Sequence, residues 1–313
     1  MPELPFLSPL DRLLFLRNSP DFAMLDPSVL IAIANHTDEL SYRAGDEIYG
    51  ESDSNRYLHF LVEGTVRATL AGKALFDITS PGAVGLMRVL ARSPEPGAAT
   101  ALTDVVTLRI EIDNFLQVME DHFLLVLGLI RNFTSLVAEV EARLEIAPGR
   151  EVCVECIEPD TNSSLDLVQR LSRARQSTLF KTANLTMLSE LLRGVSESHV
   201  EPGEWLFRAG QQPDTLHLVF EGVVRIENPS GSRVAYAGQG DLVALSEYCC
   251  DQPHAYGAVT ETAVQLLRID RAHYLDLLED HFDHALDLLS VLAQRYIELR
   301  EREHASSQSE QPE

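Results

Sequence analysis

Two long blocks of this chain alternate apolar and polar positions at short intervals, and the stretches around them carry apolar residues at helical spacing. Between about Leu40 and Ile110 the alternation predicts strands at 46–49, 57–62, 65–70, 74–78 and 105–110, separated by glycine and polar gaps. Residues 7 to 40 read instead as short helices. Leu10, Leu13, Leu14 and Leu16 share roughly one face, Asp26-Pro27 is a helix start, and Leu30, Ile33, Ala34 and Thr37 continue the period. From 111 to 145 an apolar stripe runs through Ile112, Phe115, Met119, Phe123, Val126, Ile130, Phe133, Val137 and Val140, with a break near Asp121-His122. A helical stretch around Leu185, Leu188, Leu191 and Leu192 leads into a second strand-rich block from about Ser198 to Ile269. A terminal helix follows through Tyr274, Leu278, Phe282, Leu289, Tyr296 and Leu299.

The two blocks are copies of one another. Gly45 and Gly203 open them, and Glu63-Gly64 and Glu221-Gly222 close equivalent aliphatic runs, both pairs at an offset of 158 residues. Leu108-Arg109-Ile110 and Leu267-Arg268-Ile269 match at 159, as do Glu120-Asp121-His122-Phe123 and Glu279-Asp280-His281-Phe282, so one residue was gained or lost in between. A period this long marks two complete domains, not the short units of a solenoid. The expected organisation is a first domain at 7–145, a linker at 146–164, a second domain at 165–303 and a disordered acidic tail at 304–313. The expected fold is mainly β with α additions: two tandem double-stranded β-helix (jelly-roll) barrels, each flanked by helices. In both Glu-Gly pairs the glycine shapes a tight hairpin and touches no ligand.

Charge narrows the function classes. A formal net charge of −23, with no basic run, argues against direct binding of nucleic acid or an anionic bilayer, since both begin with neutralisation of phosphate. No secretion signal opens the chain and no uninterrupted apolar stretch approaches membrane-spanning length, so a cytoplasmic protein is expected. Four cysteines make no disulfide framework. Cys153-Val154-Glu155-Cys156 has the spacing of a zinc or redox pair but lacks a second pair nearby, so no metal and no cofactor is expected. No phosphate loop, serine elbow or paired-carboxylate arrangement rises above background, and the chain reads as noncatalytic. Arg173-Ala174-Arg175-Gln176-Ser177-Thr178 loosely matches a basophilic kinase site between the domains.

The glycine that opens each block, the Glu-Gly hairpin and the later turns at Pro81-Gly82 and Gln239-Gly240-Asp241 resemble the cyclic nucleotide-binding domains of catabolite-activator-like regulators and protein kinase A regulatory subunits. In that family a cassette approximating Phe-Gly-Glu, a variable loop and Pro-Arg-x-Ala-Thr holds the ligand, glutamate on the ribose hydroxyl and arginine on the cyclic phosphate. In the first domain the resemblance puts Gly82, Gly85, Leu86 and Glu95 in a degenerate pocket. Leu86 replaces the ribose acceptor, and Glu95 sets negative charge where the phosphate belongs. In the second domain the ungapped register lays Ala244-Leu245 on Gly-Glu, whereas a loop two residues shorter lays Ser246-Glu247 there. His254 falls on the arginine, and the candidate ligand residues are Gly240, Asp241, Ser246, Glu247, His254 and Tyr256. No helix-turn-helix follows the terminal helix.

The expected function is a noncatalytic regulatory or scaffold protein that works through protein–protein contact, with a protein partner, a homodimer being one such arrangement. The alternative is a small-molecule or cyclic-nucleotide sensor acting through the second domain.

Overall fold

The computed structural model describes residues 7–19, 22, 25–51, 56–92, 97–144, 146, 166–232 and 234–309, without the side chains of Ser246, Cys250 and 306–309. The Cys153/Cys156 pair, Glu95 and nearly all of the expected linker lie outside these residues. The chain forms two compact units, Met1–Phe133 with Leu292–Glu313, and Thr134–Val291.

In the first, α1 (Pro9–Asn18) starts at Ser8, whose hydroxyl accepts the Asp11 N–H while Asp11 reaches back to the Ser8 N–H. After α2 (Pro27–Asn35) come β1 (Thr37–Tyr42), β2 (Glu47–Tyr49), β3 (Tyr57–Glu63), β4 (Thr65–Leu70), β5 (Lys73–Thr79) and β6 (Gly82–Val84). Helix α3 (Leu86–Ala91), β7 (Gly97–Ala101), β8 (Val105–Glu111), α4 (Ile112–Asp121) and α5 (Phe123–Arg143) complete the series. The expected helix break at His122 separates α4 from α5. Helix α5 is long and apolar enough by composition to cross a membrane, contrary to the expectation from the sequence, yet Leu125, Val126, Leu129, Ile130 and Phe133 along it are buried. The strands pair antiparallel in the orders β1-β8-β3-β6 and β2-β7-β4-β5. Leu61, Val66, Val84, Ala99, Ala101 and Val105 from both sheets form one core.

The second unit repeats this plan. Helices α6 (Leu167–Ala174) and α7 (Leu185–Arg193) precede β9 (Ser196–Val200), β10 (Trp205–Phe207), β11 (Thr215–Glu221), β12 (Val224–Glu227), β13 (Val234–Ala237) and β14 (Leu242–Val243). Then follow α8 (Leu245–Cys250), β15 (Gly257–Thr260), β16 (Val264–Asp270), α9 (Arg271–Asp280) and α10 (Phe282–Ser309). The sheet orders are β9-β16-β11-β14 and β10-β15-β12-β13, the same as in the first unit once each strand is matched to its copy. Phe207, Val219, Val224, Ile226, Val243, Ala258, Val264 and Leu266 make the shared core.

The expectation of a mainly β chain built from jelly-roll barrels is corrected on two counts. The described residues are 42% helical, a mixed α/β fold, and none of the four-stranded sheets among them closes on itself. One end strand of each sheet is too short to carry a closing ladder, three residues in β2, β6 and β10 and two in β14. A further difference is at Thr37, read as the end of a helical face. It opens β1, which pairs with β8 from Thr37–Ile110 to Tyr42–Val105, and its hydroxyl donates to the Ala34 carbonyl at 2.8 Å.

Candidate functional site

The short helices after β6 and β14 settle how the two copies align. Helix α3 has Gly85 as N-cap and Arg92 as C-cap, and α8 has Ala244 and Asp251, all four in the left-handed region. Both helices are six residues long, and the caps lie at one offset, 159. This is the ungapped register, with Leu245 where Leu86 stands. Leu86 is buried at the head of α3.

Four of the six candidate ligand residues of the second domain, Gly240, Asp241, Glu247 and Tyr256, are engaged by the chain itself. Gly240, at φ 84°, brings the chain close to the backbone of Gln176 and Ser177. The Asp241 carboxylate accepts the Gly238 N–H at 2.8 Å and shapes that turn. Glu247 accepts the backbone N–H of Ala255, and burial raises its carboxyl above the usual range. Tyr256 donates its hydroxyl to the Ile146 carbonyl at 3.1 Å. The Ser246 side chain lies outside the described set. In the first domain Gly82 pairs with Leu61, Gly85 caps α3, and the Arg88 guanidinium donates to the Gly97 carbonyl at 3.1 Å.

His254 lines a cavity, and most of that cavity is built from residues that carry no signal in the sequence. The space is about 520 Å³, bounded by β9, β10, β11, β16, the 208–214 turn and the loop after α8. Val200, Leu206, Phe207 and Leu266 supply its apolar wall. His254 is fixed from both sides, since its N–H donates to the Gln211 carbonyl at 2.9 Å and its carbonyl accepts the Gly210 N–H at 2.8 Å. Its ring stacks on Phe207, centroids 3.7 Å apart, and His217 lies on a second near-parallel plane 6.2 Å from Phe207. A Cβ at Gly257 would meet the Trp205 ring at 2.5 Å, so glycine is what lets Trp205 lie across β15 beside the cavity.

Both imidazoles are buried, with 7% of His217 and 4% of His254 exposed, and the Nδ1 of each has no hydrogen-bond partner among the described residues. Burial lowers His217 to about 4, helped by the Arg268 and His254 charges and opposed by Asp214. Burial also lowers His254, again against Asp214. Both rings are therefore neutral at physiological pH. Buried polar atoms without partners are uncommon in folded proteins and call for an explanation.

The first domain supplies the comparison. There the matching histidine, His59, meets the Thr107 hydroxyl at 3.4 Å, the matching arginine, Arg109, pairs with Asp38 at 3.0 Å, and its guanidinium covers the Tyr57 ring at 4.4 Å. Tyr42 lies 6.1 Å from His59, edge to face. In the second domain each filler is replaced: Tyr42 by Val200, Tyr57 by Thr215, Thr107 by Leu266 and Asp38 by Ser196. The two tyrosines, the histidine's partner and the arginine's counter-ion are all absent, and Arg268 forms no ion pair with a described residue. The second domain thus carries a concave site with an apolar wall and two imidazoles whose Nδ1 atoms have no partner among the described residues.

The sequence matches the cyclic nucleotide-binding domain family over residues 39–122 and 197–281, more than half of the chain, and the chain belongs to that family in two tandem copies. Among solved structures it is similar to the regulatory domain of Toxoplasma gondii protein kinase A with cAMP, at 14% identity and TM-score 0.35, covering 90% of this chain and 95% of that one. The regulatory subunit of a cAMP-independent protein kinase A from Trypanosoma brucei matches at 16% identity and TM-score 0.34, over 96% and 94% of the two chains. The sensor domain of the transcriptional regulator DNR from Pseudomonas aeruginosa matches at 25% identity and TM-score 0.37, over 41% of this chain and 91% of that one. No curated protein sequence matches the chain.

Proposed function

We propose that this chain is a noncatalytic regulatory protein whose second domain senses a small molecule and whose first domain serves as a filled, structural copy, with the response passed to a protein partner. The cavity carries this reading: the groups that plug and satisfy it in the first domain are replaced together in the second. Membership of a family defined by binding supports it. In neither domain does a carboxylate head the cassette helix, where Leu86 and Leu245 stand, so recognition does not run through the ribose contact of a cyclic nucleotide. The sensor reading is preferred to a pure scaffold because two buried imidazoles that leave Nδ1 unpaired line one and the same cavity.

Restoring the first domain's plugs tests it. Val200→Tyr with Thr215→Tyr fills the cavity with side chains that the same strands already carry in the other copy. Thermal unfolding of the full chain would be screened against a library of metabolites that includes cAMP and cGMP. A compound at about a hundred times its Kd adds about 2.7 kcal/mol to the wild-type protein, a rise of several degrees. The doubly substituted chain is expected to show no rise. If no compound raises the wild-type transition, or if the plugged protein responds equally, the second domain is no sensor.

A further inference from the structure

We infer that the second-domain cavity takes a small monocarboxylate with an apolar body, its carboxylate on Arg268 and hydrogen-bonded by His217 and His254, and that binding draws a proton onto one of the two imidazoles. This rests on the reading of the second domain as a sensor and names its ligand class.

Charge accounting selects the class. The groups facing the two histidines are Arg268 from β16 and Asp214 from the turn before β11, with Glu204 beside β10 on the cavity lining. Arg109 shows what this arginine position does when its partner is inside the chain: it holds the carboxylate of Asp38. Ser196 removes that carboxylate in the second domain, so an external carboxylate restores an interaction that the fold already accommodates, with the geometry a guanidinium favours. A dianion is disfavoured because Asp214 and Glu204 already outnumber the one cation. The rest of the lining is mixed: Val200, Leu206, Phe207 and Leu266 offer contact to an apolar body, Ser198, Gln211, Gln212 and Thr215 add polar edges, and about 520 Å³ is room for a ligand well above the size of a bare anion.

The proton follows from the same geometry. Two imidazoles that line one cavity, both held neutral by burial and His217 also by Arg268, meet a negative charge once a carboxylate enters. That charge neutralises Arg268 and favours the imidazolium, so one ring takes up a proton on binding. Affinity therefore rises as pH falls.

The test is calorimetric titration of the full chain with 2-naphthoate, trans-cinnamate and decanoate at pH 7.5 and pH 6, with inorganic phosphate and cAMP as comparison probes. At least one monocarboxylate is expected to bind three- to tenfold more tightly at pH 6, with net proton uptake seen when the titration is repeated in buffers of different ionisation enthalpy. Ser196→Asp, which returns the first domain's counter-ion to Arg268, is expected to weaken it at least tenfold, and His217→Phe to abolish most of the pH dependence. The inference is overturned if no monocarboxylate binds, if binding is independent of pH, or if Ser196→Asp leaves it unchanged. Binding of cAMP or phosphate alone would overturn it while leaving the sensor reading standing; a protein that binds none of these and shows no response in the metabolite screen fails both.

Discussion

Acidification from pH 7.5 to pH 5 is expected to unfold the second domain before the first. Burial lowers His59, His217 and His284 to about 4 from the ordinary 6.5, and lowers His254 as well. Between those limits the unfolded chain binds more protons than the folded one. The stabilisation is therefore complete above pH 6.5 and is lost as pH falls toward 4. Each fully buried histidine gives up about 2 kcal/mol by pH 5 on this linkage, against a total stability of about 5–15 kcal/mol for an ordinary domain. The first domain has one such residue, His59. The second has His217 and His284 in addition to His254, and His284 is held between the Tyr274 hydroxyl at 3.2 Å and the stacked Phe180 ring. Glu247 works the other way, because its raised carboxyl gains stability on protonation, but one carboxylate does not offset the histidines. Trp205 is the only tryptophan and lies in the second domain, so its fluorescence reports that domain alone. Urea titrations should show the Trp205 transition moving to lower denaturant by pH 5, and His217→Phe should cut the loss by about 2 kcal/mol. A midpoint that stays put over this range, or an identical loss in the variant, would show that these histidines do not control acid stability.

The repeat, the hairpin glycines and the central strands were legible because their signal is strong: aliphatic and aromatic residues at alternating positions, as in Tyr57–Glu63, bounded by a glycine. Strand β1 was not. Thr37-Asp38-Glu39-Leu40-Ser41-Tyr42 is mostly polar, and it becomes a strand through pairing with β8. Strand β7, Gly97-Ala98-Ala99-Thr100-Ala101, has almost no β-branched side chain, and what fixes it is its place between β2 and β4. The extent of helix is underestimated when each helix is read as an addition to a barrel, since together they make up two fifths of the described residues.

The site was legible in one residue. His254 stood out because the resemblance puts the cassette arginine there, whereas nothing in the sequence marked His217, which is buried on the lining of the same cavity. What separates His217 from its copy His59 lies on other strands, at Val200, Thr215, Leu266 and Ser196. No one of these residues looks functional. The signal existed as four differences between two copies of one domain, and it acquires meaning only when strand register shows that all four surround the same histidine and arginine.

The same duplication predicts where the chain tolerates least change. Gly222, at φ 85°, turns β11 into β12, and a Cβ there would strike the Ala263 carbonyl, with Thr262 Oγ1 at 2.9 Å and Val264 Cα at 3.0 Å. Gly64 repeats the arrangement against Asp104, Val105 and Thr103 at φ 97°. The threonine in each copy also accepts the backbone N–H of the residue after the glycine, Val223 at 3.0 Å and Thr65 at 3.0 Å, so the neighbouring turn cannot retreat without losing a hydrogen bond. Gly222→Ala is expected to cost about 3–5 kcal/mol, roughly 1–2 for the left-handed backbone and the rest for displacing the opposing turn. Gly203→Ala provides the control, since Gly203 has φ 84° but nothing within 4 Å of its would-be Cβ, and only the backbone cost of about 1 kcal/mol applies. Urea unfolding followed at Trp205 separates the two contributions. Equal losses in both variants would mean that backbone conformation, and not the close approach of the two turns, is what demands glycine at the hairpin. A larger loss at Gly222 would locate the constraint in the contact between hairpin and turn, which both domains share and which owes nothing to the ligand site.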